Sequence, residues 1–331
     1  MKKLGFVFAI CAIASCSSPE KLENDIIVVT PDKELSILSD SSYLGQVMSM
    51  DLYNNRYVLS DYKSHKVIFL DKNLDVLSSV GSYGKGPGDL NGPIEVVALQ
   101  DSIFIFEEMN QRVSVFDWEL KFSRHINNVF RGSFSEKLAI SADGNALFCS
   151  RRAGETPLQM VDLQTLESTS FGAYMKEGIA GRKPFEYYHF VLFKDWIFAI
   201  ANSDPVIRIY DKVSLELVNE VQYENAPIVK GAVDYIADQR LHHPSPNKSY
   251  VLVQDVAQYK NHLYMLIIGR ENGPSCNHIA EFCIDGSAVQ LERIFALDDG
   301  QEKLWYSSFL ADEDCFLAYS AITGGIQRFI R

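Results

Sequence analysis

Three stretches of this chain repeat one cadence: RYVLSDYKSHKVIFLDKNLDVL (56–77), SIFIFEEMNQRVSVFDWELKFS (102–123) and WIFAIANSDPVIRIYDKVSLEL (196–217). Each has an alternating apolar run, four to six polar turn residues, a second alternating run ending in Asp, a short turn and a third apolar stretch. Period-two alternation with tight polar turns specifies antiparallel hairpins rather than helices. Weaker copies occupy 146–168, 263–289 and 315–331. The first runs begin near Tyr57, Ile103, Ala146, Ile197, Leu263 and Cys315, at spacings of 46, 43, 51, 66 and 52 residues. A repeat of that period is one supersecondary unit that cannot bury its own faces and must stack on its neighbours.

An apolar or mixed segment precedes each copy, at 47–52, 94–100, 134–140, 186–193, 250–257 and 304–310, and supplies an innermost strand. The pattern is therefore all-β, a six-bladed β-propeller of mostly four-stranded antiparallel blades. The sixth copy ends at Arg331 without an outermost strand, while NDIIVVTPDK (24–33) is a β-branched run without a hairpin partner. That N-terminal strand is expected to complete the last blade and close the ring. A pair of β-sandwich domains is the competing arrangement, but no Pro/Gly/Ser linker divides the chain.

The N-terminus reads differently. Lys2 and Lys3 precede an apolar stretch to Ile13, and Ile13-Ala14-Ser15 leads into Cys16. This is the layout of a signal peptide over 1–15, too short to span a bilayer. The small residues before Cys16 resemble a bacterial lipobox, which makes Cys16 the expected lipidation site. Residues 16–24 would form a tether, and 25–331 the propeller. Losing Lys2 and Lys3 takes the formal charge from −12 to −14. An acidic protein of this kind is expected to bind no nucleic acid and to meet the membrane through its lipid anchor only.

Cys149, Cys276, Cys283 and Cys315 remain. Cys276 and Cys283 on one strand would stand on the order of 20 Å apart, beyond disulfide reach. Buried free thiols are expected, and no Cys or His pair has metal-finger spacing.

GSYGKGPGDL (81–90) packs four glycines and a proline into ten positions. Lys85 is followed by Gly86-Pro87 rather than Ser or Thr, and Pro87 and Pro93 oppose a helix, so neither a P-loop nor a dinucleotide fingerprint fits. The stretch reads as the corner where the chain crosses from the rim to the next inner strand.

GKGPGDL (84–90), preceded by VIFLDKNLDVLSSVGSYG, resembles the signature turn of six-bladed β-propeller lipoproteins of Bacteroides-type bacteria, and NQRVSVFD (110–117) resembles the core of NHL repeats. The resemblance implies a cell-envelope location, the outer membrane included. It says little about activity.

Ligands of propellers usually enter where loops converge at the axis. On the face shared by the second-to-third strand loops and the blade crossovers, the sequence offers Asp61, Glu107, Arg151 and Arg270. The crossover GIAGRKPFEYYHF (178–190) adds Arg182, Tyr187, Tyr188 and His189, which suit a sugar or peptide side chain, or else pack beneath a neighbouring loop. The longest insertion, YIADQRLHHPSPNKSY (235–250), begins with a candidate short helix. It carries His242 and His243, open to metal, lid, partner-contact or plain surface readings. Asp61, Glu107 and Glu108 are candidates for a calcium site or carboxylate pair. No other metal or cofactor is expected. Asp71, Asp117, Asp162, Asp211 and Asp285 recur at turn positions and read as structural.

With no G-x-S-x-G or H-E-x-x-H motif, the expected function is a non-catalytic, envelope-anchored binding module for a glycan, peptide or envelope protein. The competing expectation is a hydrolase or polysaccharide lyase at the channel mouth, using Arg182, Tyr188, His189 or His242.

Overall fold

The computed structural model describes residues 26–38, 42–127, 129, 137–151, 154–175, 186–242, 250–270 and 273–331. Cys16, the leader and tether, Arg182 and His243 fall outside them.

Six antiparallel sheets follow one another along the chain. Their inner strands are Val47–Tyr53, Pro93–Ala98, Ala139–Ile140, Tyr188–Phe193, Val253–Tyr259 and Tyr306–Ala311. In blades one to four, four successive strands pair in order. Blade six has three such strands, and Pro31–Leu35 pairs antiparallel with its last strand, Gly325–Ile330. The N-terminal run closes the ring, but it serves two blades. Ile26–Val29 adds in parallel to Ala288–Leu297 as a fifth strand of blade five. Thr30 separates the two segments, so the chain steps from one blade's edge to the next and straps blade five to blade six.

A blade buries both faces, one against each neighbour, so its middle strands must be apolar throughout rather than alternating. Ile103–Glu107 and Arg112–Phe116 are buried at every position. The outermost strand Val76–Val80 has solvent on one side and alternates. Six hydrophobic clusters result among the described residues, one at each blade junction. Phe69 and Ile105 meet between blades one and two, and Phe309 and Phe316 meet Tyr264 between blades five and six. The helix Pro227–His242 starts earlier than the sequence suggested. It buries Ile228, Val229, Ala232 and Ile236 in the blade four–five cluster.

The outer turns explain the recurrent aspartates. Asp71 Oδ1 accepts from Asn73 and Asp75 N–H, and Asp117, Asp162 and Asp211 do the same with their own turns. The leucine that follows, Leu74, Leu120, Leu166 or Leu215, takes a positive φ near 60°. Its N–H is bonded to the Asp carbonyl each time. Asp285 differs, sitting in a tight turn closed by Asp285 opposite Ala288. All four described cysteines are free: Cys149, Cys276 and Cys315 are buried, and Cys283 is half-buried.

Candidate functional site: an axial polar ring beneath a cavity

Each blade brings a polar residue to the axis. Ser49, Glu95, His189, Asp255 and Ser308 sit at the same place in blades one, two, four, five and six, and Lys137 enters just before the short inner strand of blade three. In blades one, two, five and six a register shift immediately precedes that residue. A bulge of this kind re-aims a side chain without breaking the strand.

These side chains stitch every junction around the axis. Ser49 Oγ donates to Glu95 Oε1 at 2.6 Å, and Asp51 accepts from Ala98 N–H at 2.8 Å, joining blades one and two. Lys137 Nζ stands 3.6 Å from Glu95 Oε1 between blades two and three. It also donates across the axis to the Met50 carbonyl at 2.9 Å. His189 Nδ1 accepts from Lys137 N–H at 3.0 Å, and its Nε2 faces the Val253 carbonyl at 3.1 Å, covering blades three to four and four to five. Asp255 accepts from Phe309 N–H at 2.9 Å, and Ser308 Oγ donates to the Val47 carbonyl at 3.3 Å, completing blades five to six and six to one.

Three carboxylates around one ammonium give the ring its electrostatics. Burial pushes the Glu95 carboxyl up to about 8, against the pull of Lys137 and Ser49. Burial likewise raises Asp51 and Asp255, with Lys137 opposing. At Lys137 burial alone would favour the neutral amine, but Glu95, Asp255 and Asp51 outweigh it and raise the pKa, so the ammonium persists. Burial lowers His189 to about 4. The neutral ring with its proton on Nε2 donates to the Val253 carbonyl and accepts from Lys137 N–H at Nδ1.

Above this ring lies a cavity of about 520 Å³. Its walls are the ends of the inner strands of blades one, five and six and the hairpins that follow them. Asp51, Tyr53, Asn54, Asn55, Gln258, Tyr259, Lys260 and Asp312 line it, with Lys137 reaching in from blade three. Tyr53 is fixed by stacking on Trp118, the ring centres 4.9 Å apart. Asp312 is held by Lys72 and by Tyr57, whose hydroxyl donates at 2.9 Å. Two ammoniums, two carboxylates, three carboxamides and two phenols therefore surround one space. Such a set can donate to and accept from a hydroxyl-rich ligand while the rings cover its apolar faces.

The cavity opens at the end of the axis opposite the face expected from sequence, and the residues expected there do other work. Asp61 is fully buried, and its oxygens accept from the N–H groups of Gly45, Gln46 and Ser64. Glu107 is also fully buried, taken up by Arg112 Nε at 2.7 Å, Ser114 Oγ, Asn91 N–H and Asn110 Nδ2. Ringed by donors, these two carboxylates have their acceptor positions occupied. Glu108 accepts from Tyr62 OH at 3.0 Å.

Glu107 also explains the glycine corner. Its partner Arg112 donates to the Lys85 and Asp89 carbonyls, and Asn110 donates to the Gly84 carbonyl. Gly81 needs its φ of +103°, and Asp89 closes the loop on Ser82 and on Gly86 N–H.

Tyr188 is buried between blades three and four, its hydroxyl donating to Glu186 at 2.8 Å. Tyr187 is half-buried beside it. Arg151 donates to Ser170 Oγ at 2.7 Å, and Arg270 lies over the Tyr235 ring of the helix at 4.4 Å. His242 is exposed, 3.5 Å from Asp238 one helical turn back. Tyr188, His189 and His242 thus keep separate partners. Of the named candidates, His189 alone belongs to the axial ring.

The ring did leave a trace in the sequence. Ser49, Glu95, Lys137, His189, Asp255 and Ser308 follow one another at 46, 42, 52, 66 and 53 residues, nearly the spacings of the repeat itself. One polar residue at a nearly constant phase, in or just before each of the six inner strands, was the available signal.

No protein-family model and no curated protein matches the chain. Among solved structures the fold is similar to that of a Bacteroides fragilis protein described as exported, 13% identical with a TM-score of 0.61, over 93% of this chain and 99% of that one. It is also similar to the β-propeller domain of Cps50 (Swd1) from Myceliophteria thermophila, at 10% identity and a TM-score of 0.55, over 92% and 99%. Streptogramin B lyase follows at 10% identity and 0.53, over 90% and 86%. At such identities the likeness concerns the fold, and the fold hosts many functions.

Proposed function

We propose that this chain is an envelope-anchored binding propeller that takes a neutral, hydroxyl-rich ligand of saccharide type in the axial cavity. The observation that carries this reading is the lining of that cavity. Carboxamides and phenols form its rim, and the Lys137 ammonium, 16% exposed, forms its floor. The balance of Lys137 and Lys260 against Asp51 and Asp312 disfavours a strongly charged ligand, whose charge would meet an unpartnered like charge on desolvation. Envelope anchoring through Cys16 is supported by the leader-like first fifteen residues and by the likeness to a protein described as exported. No helix among the described residues is long and apolar enough to cross a membrane.

The test is a glycan-array screen of the chain from residue 17 onward, followed by calorimetry with any saccharide that binds. Gln258→Ala and Tyr259→Ala, both at the half-buried rim, are expected to weaken binding at least about tenfold, in line with the loss of one or two buried contacts. The saccharide should be recovered unchanged. Silence on the array, or loss of binding with Arg182→Ala but not with the rim variants, overturns the assignment to this cavity. A saccharide recovered cleaved favours the enzyme instead.

A further inference from the structure

Blade five carries a second chemical cluster, outside the axis. Its three long strands, His262–Gly269, Ser275–Asp285 and Ala288–Leu297, run outward from the hairpin that bears Tyr259 and Lys260. His262 and Cys283 are directly opposite each other across two of these strands. On the third, the pairing shifts between Glu281–Arg293 and Phe282–Leu291, leaving Glu292 as the extra residue of a bulge. Phe282 and Leu291 pack toward the blade four–five core, while the bulge brings the Glu292 carboxylate back beside His262, 3.2 Å from Nε2. The three potential ligand atoms, one each from His262, Cys283 and Glu292, all lie within 4.8 Å of one another. Cys283 is the one described thiol that is not buried.

We propose that His262, Cys283 and Glu292 form a binding site for a borderline divalent transition cation of the zinc(II) type. Imidazole nitrogen, thiolate sulfur and carboxylate oxygen form a donor set that zinc takes with bonds of about 2.0–2.3 Å. Ligand atoms at tetrahedral positions on such an ion stand about 3.3–3.8 Å apart. The His262–Glu292 pair, at 3.2 Å, falls about 0.1 Å short of that spacing, and a side-chain shift of about 1 Å brings the sulfur in. Hard cations such as calcium prefer six to eight oxygens and find one carboxylate here. Three protein ligands leave the fourth position to water, on the solvent side where Glu292 is exposed. On binding, the sulfur–hydrogen bond of Cys283 breaks, the proton passes to solvent and the sulfur lone pair forms the bond to the metal. The proton between His262 Nε2 and Glu292 moves to Nδ1 through solvent, which frees the Nε2 lone pair for the metal beside a Glu292 oxygen. The bound ion would tie three strands together two residues beyond Lys260, on the face where the axial cavity opens.

The experiment uses the chain from residue 17 onward, which contains every strand of the six blades, purified without a histidine tag and kept reduced. Cobalt(II) titration of the metal-free protein should show one equivalent bound, with a near-ultraviolet thiolate-to-cobalt band that zinc(II) abolishes. Cys283→Ser should eliminate the band. His262→Gln and Glu292→Gln should each weaken zinc at least about tenfold, the least that even an indirect partner of a metal costs. All three positions lie near the surface, so unchanged circular dichroism serves as the folding control. No thiolate band in the wild type, a band that survives Cys283→Ser, or less than about threefold weakening in both other variants overturns the proposal.

Discussion

Replacing Glu95 by Gln keeps the size of the side chain and an acceptor for Ser49 Oγ, and removes one titration from the axial ring. In the folded protein burial raises the Glu95 carboxyl from an ordinary 4.5 to about 8. Between those values the folded chain holds a proton that the unfolded chain has released. The contribution to stability is therefore complete below pH 4.5 and is lost as pH rises through 8. One pKa unit corresponds to about 1.4 kcal/mol, so the loss amounts to on the order of 5 kcal/mol across the window. That is a large part of the ~5–15 kcal/mol available to a folded domain. The variant escapes this loss whatever constant offset it carries from altered contacts with Lys137. Urea unfolding of both proteins at intervals from pH 5 to 9 measures it. The stability of the wild type minus that of Glu95→Gln should fall steadily through the window. Infrared difference spectra should show a protonated carboxyl band that disappears with a midpoint near 8 in the wild type and is missing in the variant. A stability difference flat to within about 1 kcal/mol, or an identical carboxyl band in both proteins, refutes the placement of a neutral acid on the axis.

Two further expectations concern the glycine corner. Gly81→Ala forces a Cβ onto φ +103° and into the His65 carbonyl at 2.7 Å, whereas Gly273→Ala meets similar strain at φ +97° with nothing within 4 Å. Gly273→Ala should cost about 1 kcal/mol, and Gly81→Ala at least about 1 kcal/mol more, as read from urea midpoints; equal losses would place the corner elsewhere. Glu107→Gln leaves the Arg112 guanidinium buried without its counter-charge. It should cost about 3–5 kcal/mol and speed tryptic cleavage after Lys85 relative to the wild type.

The fold was legible because it is written redundantly. Six copies of one alternation, the Asp that opens each outer turn and the unpaired runs at both ends all report the same ring. What local pattern could not supply was the double use of 24–33, since nothing in that run distinguishes a strand of blade five from one of blade six. Thr30 marks the step only once the neighbouring edges are known. The helix was read short because Val229, Gly231 and Val233 are weak helix formers, although Pro227 suits a first helical position. Its formation rests on burying Ile228, Val229, Ala232 and Ile236 over blade five, a tertiary gain that outweighs propensity.

The site was harder to read, for a physical reason. Loop residues with charge and aromaticity look functional, yet a propeller must first satisfy the polar backbone of its own corners. Asp61, Glu107 and Arg112 are consumed there, each bonded to turn amides, turn carbonyls or one another. The axis imposes a different demand. Six inner strands converge without pairing to one another, so their edge amides and carbonyls need partners that no β-ladder supplies. Asp51, His189, Asp255 and Ser308 satisfy such groups on the next blade. Once the inner strands had to carry polar residues, the end of the axis became a polar cavity of fixed shape. Lys137 is thus both a member of the ring that joins the blades and the floor of the proposed site. A ligand resting on Lys137 would touch an ammonium whose charge Glu95, Asp255 and Asp51 uphold, so Glu95→Gln should change the affinity of the site as well as the stability of the ring.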